Sequence, residues 1–337
     1  MAGHLRLLLC LIVCFGVTLL TLVNLFDASA WSVEYSSCQG EGRQLGERMA
    51  TQGVPVVWEP VKREPEIVEV KPDVWDTTGA RDFLIQYNKI LNNDSQPMTA
   101  DPGNISSITE WWQAAAMINW YFNSSTRFQC TDGLSWVGKL YALCSGRPFT
   151  IRKSCFVYSF GINHNFRFEE HMDWQGCDVR SFDPGMNVSD HSRKKSTRFY
   201  NMGISPSNTD IYSRSAQGQG QKWKMRTLKT IKKLLGQEDQ IIDALKLNIG
   251  GDEWEVLANL METDMFRSVR LLLVKFHLVP PRTPKENFVL YFQTLTRLRQ
   301  MGLREYYINV DELSLTPDHF LLKASVFFGN VNFKWFY

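Results

Sequence analysis

The sequence predicts an α/β fold built on a largely parallel sheet, and three observations carry that expectation. From about residue 128 onward, short apolar runs alternate with segments of helical periodicity, the pattern of strands joined by crossover helices. One run, Phe156 to Phe160, ends at Gly161 and an Asn-rich turn. A second run ends in Asp183, 22 residues after that glycine. A strand, a Gly turn, a helix start and a strand-end carboxylate at this spacing outline a βαβ nucleotide site. The chemistry needs both parts at the carboxyl ends of adjacent strands. Gly161 would let the backbone approach a ligand, and Asp183 would accept ribose hydroxyls. Asp183 also stands before Pro184, where a turn or helix cap is the ordinary use of an Asp.

Taken in order, the expected strands are Cys155 to Phe160, Asp178 to Phe182, Phe199 to Met202, Ala244 to Ile249 and Val269 to Phe276. The expected helices are Phe168 to Trp174, Met225 to Leu235, Glu253 to Met261 and Glu286 to Met301. In Met225 to Leu235, Leu228, Ile231, Leu234 and Leu235 form one apolar face and the lysines point away, so its positive charge, with that of Arg193 to Lys195, reads as a solvated surface. Ser205 to Gln221, rich in Ser, Gly and Gln, reads as a flexible loop.

Upstream, Leu7 to Phe26 is a 20-residue apolar run preceded by His4 and Arg6. That length crosses a bilayer, and the positive flank favours a cytoplasmic N-terminus. A retained signal anchor within residues 1–30 is the preferred reading. A signal peptide cleaved after Ala30, at Ala28-Ser29-Ala30, stays open. Residues 31–80 carry Pro55, Pro60, Pro65 and Pro72 and read as a stem. Residues 81–127 form a helical extension whose aromatic stretch, Trp111 to Phe122, packs into a core; an aromatic acceptor-binding surface is the alternative. The third segment is 128–337.

A lumenal location is expected from four glycosylation triplets, at Asn93, Asn104, Asn123 and Asn187. Cys130, Cys144, Cys155 and Cys177 allow two disulfides in three pairings, and a buried free thiol is an equal reading for Cys177. The formal charge of +2 gives no argument for nucleic-acid binding. No Cys/His spacing suggests a metal site.

Val157 to Asn163, Phe166 to Glu170 and Gly176 to Pro184 together resemble the methyltransferase-like protein 24 family, within the FkbM-type S-adenosylmethionine-dependent methyltransferases. The likeness continues through Phe199 to Ser205, Ile241 to Leu257 and Leu271 to His277. It implies a Rossmann-like class I methyltransferase sheet with flanking helices, behind a membrane anchor and stem, ending in an antiparallel edge pair formed by Tyr306 to Val310 and Leu322 to Phe328. It also implies S-adenosylmethionine as cofactor. Ser159, Phe160, Gly161 and Asn163 would lie against its methionine half and Asp183 against its ribose. The acceptor, whether a glycan, a small molecule or a protein, is not specified.

The family pattern on the fourth strand, Lys-x-Asp-x-Glu-Gly-x-Glu-Trp, is here Lys246-Leu-Asn248-Ile-Gly250-Gly251-Asp252-Glu253-Trp254, and Lys275 stands where the fifth strand usually has Glu. Three acidic positions are thus neutral or basic. Glu253, His277 and Asn248 remain as candidate catalytic residues, with His277 as the general base and Asp252 adjacent. Two functions of different class follow: a secretory-pathway methyltransferase, or a degenerate relative that binds without catalysing. A Golgi glycosyltransferase is a weaker third, because no Asp-x-Asp motif is present.

Overall fold

Apolar alternation along the chain builds one central sheet with helices on both faces. The computed structural model describes residues 77–94, 99–124, 128–212, 222–279, 283–316 and 319–333. The apolar run Leu7 to Phe26, Cys38 and the stem as far as residue 76 lie outside these. In chain order the elements are α1 (Ala80–Asn92), α2 (Trp111–Ser124), β1 (Leu134–Val137), β2 (Tyr141–Cys144), β3 (Phe156–Phe160), α3 (Arg167–Trp174), β4 (Asp178–Phe182), β5 (His191–Ser192) and β6 (Thr197–Tyr200). Then come β7 (Gly203–Ile204), β8 (Met225–Arg226), α4 (Leu228–Leu234), β9 (Ile242–Leu247), α5 (Glu253–Glu262), β10 (Val269–Leu278), α6 (Phe288–Gln300), β11 (Leu303–Thr316) and β12 (His319–Asn330).

Eight strands form the sheet in the order β11-β12-β10-β9-β3-β4-β6-β5. The five from β10 to β6 are parallel, and β12, β11 and β5 are antiparallel to their neighbours. This is the mixed α/β sheet expected, with the antiparallel pair at its end. The pair is longer than the residues Tyr306 to Val310 and Leu322 to Phe328 indicated.

Successive side chains on a strand point to opposite faces. Phe156, Tyr158 and Phe160 therefore enter one core, with Leu245 and Leu247, beneath α2, α5 and α6. Val157 and Ala244 enter the other, with Phe168 and Met172 of α3 and Tyr141 of the β1–β2 hairpin. The aromatic stretch of α2 is core rather than binding surface. Trp112, Trp120, Tyr121 and Phe122 are buried, and Ala114 to Ala116 let the helix lie close to its neighbours. The Tyr121 hydroxyl donates to Glu305 on β11, which also pairs with Arg299 of α6 at 2.8 Å. Burial pushes the Glu305 carboxyl above its usual range, against the pull of Arg299.

Two expectations need correction. Met225 and Arg226 form a short strand, and the helix begins only after Thr227, whose hydroxyl accepts from the Thr230 N–H. This shorter helix does not turn all its lysines outward. Lys232 is buried and donates to Gln240 O at 2.9 Å and Ser268 Oγ at 3.2 Å, while Leu234 is exposed. A lysine whose three donors can cap a nearby carbonyl outcompetes an apolar residue there.

The cysteines pair as Cys130–Cys144 and Cys155–Cys177. Cys177 is thus bridged rather than a free thiol. The second bridge joins the starts of β3 and β4, the sheet edge away from the cleft described next. Loops of 14 and 22 residues correspond to stabilisation of about 3 kcal/mol each through the unfolded chain.

Candidate functional site

Parallel strands deliver their carboxyl ends to one edge, and ligands in open α/β sheets sit where the crossovers diverge. Here that point lies between β3 and β9. A cleft of about 410 Å³ opens there, within the size range of small-molecule sites. Phe182, Met186, Ile204, Trp223 and Met225 give it apolar lining, and Asn163, His164, Asp183, Asn248 and Asp252 give it polar lining. Among the described residues lining it there are two carboxylates and no Lys or Arg.

Asp183 shapes the loop after β3. Its Oδ2 accepts from the N–H groups of Ile162 (2.9 Å) and Asn163 (2.8 Å), and its Oδ1 from Gly185 N–H (2.9 Å). The turn-cap role beside Pro184 is therefore present. Asp183 is only half-buried, however, and faces the cleft. The loop backbone explains the Asn-rich turn: Asn163 and His164 have φ of 46° and 60°, a region Asn tolerates better than most residues. Gly161 serves a close approach within the protein as well. A Cβ there would lie 1.9 Å from the carbonyl oxygen of Asn248, and its φ is +78°. The missing side chain lets β3 and β9 close together at their ends; Gly161 also lines the cleft.

Glu253 does for the β9 loop what Asp183 does for the β3 loop. It opens α5 and reaches back to accept from Ile249 N–H (2.9 Å) and Gly250 N–H (2.8 Å) on Oε1, and from Gly251 N–H (2.8 Å) on Oε2. His277 Nδ1 lies 2.9 Å from the same Oε1. Glu253 is fully buried, and neither it nor His277 lines the cleft. Gly250 and Gly251 have φ of 70° and 119°, so a Glu at position 250, as in the family pattern, would need a differently shaped turn.

Beneath the two loops lies a buried ion pair that reading the sequence missed. Ser159 on β3 and Lys246 on β9 are register neighbours on one face of the sheet. Lys246 Nζ donates to Ser159 Oγ and to Glu169 Oε1 of α3, both at 3.0 Å, and Ser159 Oγ donates to the same Oε1 at 2.5 Å. Burial would lower the Lys246 pKa, but Glu169 and Tyr141 outweigh it and hold the ammonium above its usual range. Glu169 Oε2 has no protein partner. Burial raises the Tyr141 pKa against the opposing charge of Lys246. Lys275 is half-buried, its ammonium 5.9 Å from the Tyr141 ring centre, and is not part of the cleft lining.

Of the lining residues, Trp223 stacks on Tyr212 with centroids 5.7 Å apart and planes 8° from parallel. The Tyr212 hydroxyl donates to Asp252 Oδ2. Residues 213–221, within the segment read as a flexible loop, lie outside the described residues.

The family described as "Methyltransferase domain" matches residues 73–310, well over half of the chain. The chain belongs to that family. Two relatives agree, both titled "Probable methyltransferase-like protein 24". The protein from Homo sapiens is 27% identical over 235 residues, 63% of this chain and 63% of its own length. That from Rattus norvegicus is 28% identical over 193 residues, 54% of this chain and 52% of its own. The chain thus spans between half and two thirds of these relatives. The resemblance read from the sequence is confirmed at the level of the family, and the match begins ahead of α1 and α2.

Within this methyltransferase-domain fold, Phe160, Gly161, Asn163, Asp183 and Asn248 converge on the cleft. Ser159 is buried below it, and Glu253 and His277 stand behind it as a bonded pair. The sequence did hold a signal for the missed pair. Lys246 interrupts an apolar strand and Glu169 falls on the buried side of α3, and charges in such places need partners.

Proposed function

We propose that the cleft binds S-adenosylmethionine and that the protein is a methyltransferase-like protein of the secretory pathway. The observation that carries this reading is the chemical polarity of the cleft. The six N–H groups of Ile162, Asn163, Gly185, Ile249, Gly250 and Gly251 are all taken by Asp183 and Glu253. With two carboxylates and no Lys or Arg among its described lining residues, the cleft carries negative charge, and these six backbone N–H groups are not left for a ligand. That suits a cationic sulfonium beside an aromatic wall for a flat base, and it disfavours the pyrophosphate of a sugar nucleotide.

In this reading Asp183 holds the ribose with the lone pairs its three backbone donors leave, and Phe182, Met186 and Trp223 enclose the base. Bound there, the cofactor supplies an activated methyl group. The chain's own residues then have chiefly to orient an acceptor and keep water out. No carboxylate takes the place of the family's acidic pair at 248 and 250. Glu253 and His277 bond to each other away from the lining, which favours the second reading: a protein that binds the cofactor and transfers methyl weakly or not at all.

A lumenal setting is supported by the two disulfides and by the exposure of all four glycosylation-triplet asparagines. Calorimetric titration with S-adenosylmethionine and, separately, a uridine diphosphate sugar tests the ligand class. Binding of the first alone is expected, and binding of the second alone would refute the proposal. Glycosidase treatment of the expressed protein tests the setting, with a gain in gel mobility expected.

A further inference from the structure

Trp223 lines the cleft and is held there by contacts from two loops. Its ring stacks on Tyr212, and its Cζ2 and Cη2 atoms rest against Gly185. A Cβ at position 185 would lie 3.4 and 3.5 Å from those two atoms and 3.2 Å from Asp183 Oδ1. The bare backbone of Gly185 thus lets the indole lie close to the loop that Asp183 organises. On the other side, the Tyr212 hydroxyl donates to Asp252 Oδ2. Gly185 follows β4 and Asp252 follows β9, and these two strands flank β3. Gly185, Trp223, Tyr212 and Asp252 therefore form a continuous run of contacts from the β4 loop to the β9 loop.

Asp252 stands where an Asp ordinarily caps a helix, and it does not do so. It directly precedes α5, yet its side chain accepts from no N–H of that helix, although Asp is among the best residues for the role. The N–H groups of Ile249, Gly250 and Gly251 beside it go to Glu253. The Asp252 carboxylate is turned to Tyr212 instead. We infer that Trp223 is the surface on which the purine of the ligand stacks, and that Tyr212 and Asp252 are positioning residues that hold it. This rests on the reading of the cleft as an S-adenosylmethionine site. It separates the two carboxylates of the lining: Asp183 meets the ligand, whereas Asp252 acts on it through Tyr212 and the indole. A phenol ring alone can slide on an indole. A hydrogen bond from its hydroxyl removes that freedom, and an aromatic face already fixed in place takes up a flat base at a smaller ordering cost.

Calorimetric titration of the full chain with S-adenosylhomocysteine tests this, because that thioether carries the same adenosine and no sulfonium charge for a carboxylate to attract. Tyr212→Phe and Asp252→Ala are each expected to weaken binding about fivefold. The double variant should be no weaker, since both changes remove one interaction. Asp252→Asn keeps an acceptor for the phenol and is expected to bind as the parent does. Tryptophan fluorescence should change on ligand addition in the parent and in Asp252→Asn, change less in Tyr212→Phe, and lose the Trp223 share in Trp223→Phe. A misfolded variant lowers the number of sites in the titration rather than their affinity. Unaltered affinity and fluorescence in Tyr212→Phe, or a loss in Asp252→Asn equal to that in Asp252→Ala, overturns the inference alone. Failure of the parent to bind either S-adenosylhomocysteine or S-adenosylmethionine overturns the cleft reading, and the inference with it.

Discussion

Two loops at the carboxyl edge of the sheet are folded in the same way around a carboxylate, and they differ in where that carboxylate looks. Asp183 gathers three backbone N–H groups and remains half-exposed at the cleft. Glu253 gathers three N–H groups and a histidine and is sealed from solvent. The first has lone pairs left for a ligand. The second has used its capacity on the protein. A carboxylate near a site is thus no guide to chemistry until its existing donors are counted.

The sharpest way to break this comparison is to remove the sealed partner. Glu253→Ala leaves several buried donors unpaired, so unfolding stability should fall by about 4 kcal/mol. Denaturant unfolding measures this, and an unchanged midpoint would mean that the loop does not depend on its bracket.

The ion pair below the loops comes next. Lys246→Met alone strands Glu169 and should cost about 3 kcal/mol, while Lys246→Met combined with Glu169→Leu should recover most of that loss. The pH dependence has a definite sign. A lysine whose folded pKa is raised contributes stability that is fully present below the unfolded value of 10.5 and lost as pH rises through the folded value. The difference between the parent and the double variant should therefore be constant at neutral pH and shrink only above 10.5.

Asp183→Ala should cost less stability than Glu253→Ala, about 1–2 kcal/mol, because water can reach the released N–H groups. Its larger effect should be on ligand affinity, weakened by about tenfold or more in a binding titration. Equal stability losses in Asp183→Ala and Glu253→Ala would erase the distinction between the open and sealed brackets.

The smallest effect is expected for His277→Ala. Glu253 keeps its three N–H donors, so stability should drop by about 1 kcal/mol and cofactor affinity should not change. A large loss of affinity would instead connect His277 to the cleft.

Much of the fold was legible because burial imposes a period. The runs Phe156 to Phe160 and Val269 to Phe276 mark strands by apolar content, and Gly161 with Asp183 marks the strand ends that open the cleft. Helix α4 was misplaced because Met225 and Arg226 continue the apolar and basic pattern of the helix while pairing as a strand. Nothing in that pattern encodes a partner strand at Gly203 and Ile204. The cysteine pairing was likewise open, since three pairings are equally consistent with the spacing and only the adjacency of β3 and β4 selects Cys155 with Cys177.

The sequence by itself determined the family, through the motifs that carry the resemblance, and the order of the five parallel strands and five of the residues that reach the cleft, because hydrophobic period and strand-end spacing are local properties of the chain. Tertiary structure alone decided what each polar residue does. Gly161 yields to a carbonyl from β9, Glu253 is consumed by its own loop, and Lys246 joins Ser159 and Glu169 across three elements. These assignments depend on which hydrogen-bond donors and acceptors meet through space. That balance is settled only when β3, β9 and α3 pack, since every buried polar group must then find its partner among whatever neighbours the fold has brought to it.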